Sequence, residues 1–260
     1  MESSNQIIED SESVPNACIR RIIKDVRTIS KSPMDNIFYE HSSDNVLKGN
    51  ALIIGPSDTP YYHGYYLFKV KFTNNYPYEP PILTFTSNFN NIRMNPNLYR
   101  NGKVCLSILN TWNGEQWTSC QTLSTILLTL STILNENPLS NEPGIYANDP
   151  RNITYNQAIS YVNVKYIICE QINNIMSNYK NLQDDDTIIS LYNIILNHFS
   201  SNYKNVQVFV KYMLDNYEDN VEITSGFYSF SVKIELKDLD KTIQKLATKT
   251  KKFIKTNDIN

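Results

Sequence analysis

Seven residues of this chain have side chains suited to nucleophilic or metal chemistry: Cys18, Cys105, Cys120 and Cys169, with His41, His63 and His198. The cysteines lie far apart, with no C-x-x-C pair and no histidine nearby, so a structural zinc site has no ligand set and no metal is expected. That leaves a single thiol as a nucleophile. The densest polar segment, Arg93 to Leu109, surrounds one. Asn95-Pro96-Asn97 and Asn101-Gly102 are turn chemistry, so Cys105 follows two consecutive tight turns instead of sitting in mid-strand. By residue type alone, Cys105 between Val104 and Leu106 fits a small buried hydrophobe as well as a nucleophile. Spacing does not decide between them.

The elements that must position this segment can be read from periodicity. Every one of the 11 prolines lies at or before Pro150, and only Gly226 of the 7 glycines lies beyond Gly144, so the two halves differ in architecture. Ile19, Ile22, Ile23, Val26 and Ile29 recur at helical spacing, which predicts an amphipathic helix ended by Pro33. From about 37 to 86, apolar and aromatic runs such as Ala51–Ile54, Tyr65–Phe72 and Ile82–Phe85 alternate with Gly/Pro turns, the pattern of an antiparallel meander. Residues 88 to 119 are rich in turn formers. A second helix is predicted from about Gln121 to Asn135, and another over Tyr155 to Asn178. Beyond it, Thr187–Phe199 and Val206–Asp215 read as two helices, Tyr228 to Leu236 alternates as one strand, and Asp238–Lys255 reads as a terminal helix. Asp184 to Asp186 before Thr187 reads as a helix start in which carboxylates face the positive end of the dipole, in preference to a metal site.

Composition sets limits on function. With 41% hydrophobic and 19% charged residues, the chain is neither disordered nor an array of membrane spans. Lys and Arg number 24 against 26 Asp and Glu, a net charge of -2, so neither nucleic acid nor an anionic membrane is expected as a partner. The acidic N-terminus lacks an apolar signal core, and no apolar run approaches a membrane span, so a reducing intracellular compartment is expected. P-loop, dinucleotide-binding, zinc-protease and G-x-S-x-G signatures are all missing, so the chain is not expected to use ATP or NAD itself.

From about Pro15 to Asn178 the sequence resembles the ubiquitin-conjugating enzyme family. Tyr76-Pro77-Tyr78-Glu79-Pro80-Pro81 matches the family's Y-P-x-x-P-P, and Thr59 to Phe68 matches its T/S-P-Y-x-G-G-x-F strand. Asn97 precedes Cys105 by the family's interval. Asn95 in place of the usual histidine, the run Arg100 to Leu109, Thr111-Trp112 and Glu136 to Gly144 look most like the large, C-terminally extended class.

The resemblance implies an α+β fold: an N-terminal helix, a four-stranded antiparallel meander, a cysteine-bearing loop and C-terminal helices, with a mostly helical extension containing one strand. Residues 1–14 would then be a disordered tail, 15–178 the core domain and 179–260 the extension, docked on the core and tuning which activating enzyme is used. It implies that Cys105 takes ubiquitin or a ubiquitin-like protein from an activating enzyme as a thioester and passes it to a substrate lysine, with no cofactor of its own. Asn97 would donate a hydrogen bond to the oxyanion, or hold the turn in place. Glu142, or Asn141 beside it, would orient the attacking amine. Arg20, Arg21, Lys24 and Arg27 would contact an acidic surface of the activating enzyme. A ubiquitin ligase would bind at Tyr78, Pro77, Trp117 and Ser119, although the loop that normally reads W-S-P-A is Trp117-Thr118-Ser119-Cys120 here. The lengthened loop around Trp112 to Gln116 would shield the thioester or touch substrate. The expected location is cytoplasmic, with the nucleus second. Two other readings compete: a catalytically silent binding module of the same fold, and a cysteine hydrolase, which needs a general base beside Cys105.

Overall fold

A computed structural model describes residues 14–89, 92–182 and 186–259. The expected N-terminal tail lies outside these residues apart from Val14, and so do Asp184 and Asp185.

Helix α1 spans Asn16–Lys31. Its buried stripe is Cys18, Ile22, Asp25 and Ile29, with Ile23 exposed, so the stripe read from the isoleucines is rotated. The reason is Asp25. Its carboxylate is only 3% exposed and accepts from Arg21 Nε at 3.0 Å, from the Tyr76 hydroxyl and from the backbone N–H of Leu123 at 3.4 Å. A charge so paired tolerates burial that an unpaired one would not.

Four antiparallel strands follow in sequential order: β1 (Ile37–His41), β2 (Lys48–Ile54), β3 (Tyr65–Lys71) and β4 (Ile82–Phe85). Register pairs Leu52 with Phe38 and Leu67, and Ile54 with Tyr65, on one face; Ala51 pairs with Tyr39 and Phe68 on the other. Six consecutive residues of β2, Gly49–Ile54, are buried, which requires both faces of the sheet to be covered. Helix α2 (Leu123–Ile133), begun by a reciprocal Thr122–Thr125 capping box, packs against β1 and β2.

Helix α3 (Arg151–Val162) continues through a wide-turned segment, Asn163–Glu170, into α4 (Gln171–Asn178). Buried Asn163 accepts from the Tyr66 hydroxyl at 2.7 Å and donates to Tyr62 O at 2.9 Å, joining this helix to the sheet. Gly64 permits the approach, because a Cβ there would meet Asn163 Oδ1 at 2.0 Å.

The two helices read beyond Thr187 are one, α5, of 31 residues (Asp186–Asn216). The polar run Ser200–Asn205 looks like a break, yet the inward period passes from Phe199 through half-buried Tyr203 to Val206 and Val210. Helix α5 lies on β1 and β2. Thr187 accepts from Asn50 Nδ2 at 2.7 Å and Ser190 donates to Glu40 at 2.9 Å, which marks the face of Leu52 and Ile54 as the one it covers. The single strand expected over Tyr228–Leu236 is instead the second arm of a hairpin, β5 (Glu222–Ser225) with β6 (Phe230–Lys233). A lone strand would have left its backbone groups unpaired. Tyr228 and Ser229 belong to its turn, with φ of 61° and 46°. Helix α6 (Leu239–Thr256) packs on α5.

Candidate active site

Cys105 sits between β4 and α2, after the two turns its sequence predicts. Its N–H donates to Asn97 O at 2.9 Å, and Asn97 Nδ2 donates back to Cys105 O at 2.8 Å. The two residues are thus bonded twice. The Asn97 N–H donates to Asn95 Oδ1 at 2.9 Å, and Asn95, fully buried, donates through Nδ2 to the Tyr61 hydroxyl and to Ile133 O, both at 2.8 Å. Where the related pattern carries a histidine, this chain has an amide whose two ends can each be satisfied in the core. Asn141 completes the network. Its Nδ2 donates to Ile133 O at 3.0 Å and reaches Asn95 Oδ1 at 3.5 Å, while its Oδ1 accepts from Asn135. The geometry therefore brings together Cys105, Asn97 and Asn141, with Asn95 as the hub. Asn97 Oδ1 is buried without a hydrogen-bond partner, and one N–H of its Nδ2 is uncommitted among the described residues.

The thiol itself is covered: Cys105 is 2% exposed and its Sγ–H points to Thr111 O at 3.4 Å. Thr111 Oγ1 accepts from Leu106 N at 2.9 Å and lies within 3.0 Å of Val104 O and Leu106 O, so this one hydroxyl binds both flanks of the cysteine. The exposed loop 112–116 follows directly. The three histidines lie elsewhere. His41 bonds to Tyr39, while His63 and His198 pack on each other and His198 bonds to Tyr65, so none of them is the base beside Cys105 that the hydrolase reading needs.

The other cysteines are distinguished by setting. Burial pushes the Cys169 thiol up to about 12, and burial raises Cys18 as well. Cys120, by contrast, is exposed in the turn before α2.

Glu142 is half-buried, and its Oε2 accepts from the Tyr228 hydroxyl at 2.7 Å. Of the four basic residues on α1, Arg20, Lys24 and Arg27 are exposed and line a shallow groove with Ile23 and Lys31. Arg21 does not join them. Its guanidinium donates to Ser119 O at 2.8 Å and to Gln121 O, and pairs with Asp25, so it ties α1 to the start of α2. Tyr78 is 81% exposed beside half-buried Pro77. Trp117 is buried, donating from Nε1 to Pro77 O at 2.7 Å, and Ser119 is exposed. Pro77, Tyr78, Trp117 and Ser119 thus border one surface, with the tryptophan as its floor.

Asn95, Thr111, Asp25 and Tyr228 were not legible as site or framework residues. Asn95 read as a turn residue and as a variant of the related pattern's histidine, with no sign of its hydrogen-bond partners, and Tyr228 read as a strand residue.

A four-stranded meander flanked by helices, with a cysteine held to an asparagine eight residues before it, defines the class. The family model described as ubiquitin-conjugating enzyme matches residues 21–163, and the chain belongs to that family. Among curated relatives, it is 40% identical over 168 residues to ubiquitin-conjugating enzyme E2 Z of Xenopus tropicalis, covering 63% of this chain and 53% of that one. It is 34% identical over 186 residues to the human dual E2 ubiquitin-conjugating enzyme/E3 ubiquitin-protein ligase BIRC6, covering 65% of this chain and 4% of that one. The chain spans about half the length of the E2 Z relatives it matches. Among solved structures, human ubiquitin-conjugating enzyme E2 G1 is 28% identical, with a TM-score of 0.41, covering 47% of this chain and 97% of that one.

Proposed function

We propose that this protein carries ubiquitin or a ubiquitin-like modifier on Cys105 and delivers it to a substrate lysine. Cys105 Sγ attacks the thioester carbonyl on an activating enzyme. A new S–C bond forms, the old one breaks, and the departing thiol takes the proton. A lysine amine then attacks the same carbonyl, forming the amide and releasing Cys105 as a thiol. The acyl group arrives activated, so the chain's own task is to position the reactants and stabilise a tetrahedral oxyanion. The observation that carries the reading is the double hydrogen bond between Cys105 and Asn97 within the family-matching region, which fixes an amide donor on the backbone of the cysteine.

In this reading Asn97 uses its second N–H on the oxyanion. Asn141 has both ends of its amide engaged, so Glu142 orients the amine. Arg20, Lys24 and Arg27 meet an acidic surface of the activating enzyme, and Tyr78, Pro77 and Ser119 a ligase. The work belongs in the reducing cytoplasm and nucleus. One observation favours a second reading, the silent binding module: Sγ lies under Thr111, and charging requires the 111–116 loop to lift.

A charging assay separates the two. With ATP, ubiquitin and a panel of activating enzymes, the parent is expected to form an adduct that thiol reductant removes. Cys105→Ser should give a slower, reductant-resistant oxyester, and Cys105→Ala none. An undiminished adduct in Cys105→Ala would end the proposal, as would no adduct with any activating enzyme or modifier tried. Exposed Cys120 makes Cys120→Ser the background in which to measure.

A further inference from the structure

The turn of the β5–β6 hairpin reaches from the C-terminal extension to two loops that flank the cysteine. On the cysteine's own segment it meets Arg93, Tyr99 and Arg100. The Arg93 guanidinium lies 3.7 Å from the Tyr99 ring centroid and 4.1 Å from that of Tyr228. Arg100 donates to Tyr228 O and, at 3.4 Å, to Ser229 O. On the loop after α2, the Tyr228 hydroxyl donates to Glu142 Oε2 at 2.7 Å.

The backbone of this turn is strained in a way that its contacts explain. Tyr228 and Ser229 both have positive φ, a conformation costing on the order of 1–3 kcal/mol for a residue with a side chain, which persists only where the surroundings over-determine it. Gly or Asn is the usual residue at such positions. Here Arg100 holds both carbonyls, and the tyrosine ring is fixed on Arg93. Burial, then the Glu142 hydrogen bond, pushes the Tyr228 phenol well up from its ordinary value, so it remains a donor at any working pH. Glu142 Oε1 has no hydrogen-bond partner among the described residues, which leaves it for an incoming amine.

We propose that Tyr228 is a positioning residue for transfer: through its hydroxyl the extension fixes Glu142 relative to the Cys105 loop and turns Oε1 toward the acceptor lysine. The inference rests on the role given to Glu142 above. It assigns to residues beyond the family-matching segment a part in the transfer step and none in charging.

The test is single-turnover discharge of the charged, full-length protein to free lysine over a range of lysine concentrations. Tyr228→Phe keeps the ring on Arg93 and removes only the hydroxyl. Charging should stay within about twofold of the parent, while the maximal discharge rate falls about tenfold, as loss of a positioning contact does. In a Glu142→Ala background, itself slow, adding Tyr228→Phe should change nothing further, a result that a merely structural tyrosine would not give. If Tyr228→Phe discharges like the parent while Glu142→Ala is slow, the inference is overturned and the role of Glu142 stands. If Glu142→Ala discharges normally, both fall. Faster discharge in Tyr228→Phe would overturn it by showing that the hairpin masks Glu142, and an equal loss of charging and discharge would reduce Tyr228 to a structural contact.

Discussion

Asn97 holds the turn and the backbone of Cys105 at once. Its carbonyl and Nδ2 both bond to the Cys105 backbone, while Nδ2 keeps a second hydrogen. Whether that hydrogen serves the oxyanion can be read from rates, because an oxyanion donor acts in transfer and a turn-holder acts on everything. Asn97→Ala is expected to slow discharge to lysine by about 10²-fold and to leave loading nearly intact. Loading and discharge falling together would assign the residue to structure alone. Asn97→Ala also removes the Nδ2 bond to Cys105 O along with the unpartnered Oδ1, so the melting temperatures of parent and variant are compared beside the rates.

Among the elements, the contact between α5 and the turn leading into β3 carries a pH dependence. His63, in that turn with φ of 57°, packs at 5.2 Å from His198 of α5, whose Nδ1 bonds to the Tyr65 hydroxyl at 3.0 Å. Burial, with the neighbouring His198 second, lowers His63 to about 4, and burial lowers His198 too. Below about 6.5 the unfolded chain binds protons that the folded chain refuses, so stability must fall as pH drops from 6.5 toward 4 and level off below it. The slope is bounded at ~1.4 kcal/mol per pH unit for each proton concerned. The urea midpoint should therefore fall between pH 7 and pH 5. His63→Asn, which suits the left-handed backbone, should flatten that fall. An unchanged slope in the variant would place the titration elsewhere.

For the molecule as a whole, the extension is part of the core's shelter. Phe38, Leu52, Ile54, Tyr65 and Leu67 share the sheet face that α5 covers, and of these Leu52, Ile54, Tyr65 and Leu67 are buried. Truncation after Asn181 would bare these apolar residues as one contiguous face. The fragment is expected to aggregate or to bind a hydrophobic dye strongly, against weak binding by the full chain. A monodisperse fragment with native melting behaviour would show that the core stands without α5. This is also why the extension's part in transfer is better tested by single substitutions such as Tyr228→Phe.

Local pattern determined what local physics controls. The meander was legible because strands, proline turns and aromatic alternation are properties of short segments. So was the cysteine loop, whose Asn-Pro-Asn and Asn-Gly turns follow from residue type. Whatever depends on partners distant in sequence was decided only by the tertiary structure. Asp25 reads as one more charge on a solvated helix until Tyr76 and Leu123 arrive to pair with it. Arg21 reads like its neighbours Arg20 and Lys24 until the carbonyls of Ser119 and Gln121 claim it. Ser200–Asn205 reads as a break until α6 packs on α5, with Lys251 over the ring of Tyr203, and favours one continuous helix. Tyr228 alternates like a strand residue, yet Arg93, Arg100 and Glu142, each more than 80 positions away, hold it in a turn at the edge of the site. Hydrogen bonds and charge pairs are satisfied by whichever group the fold delivers, and sequence spacing carries no record of that delivery.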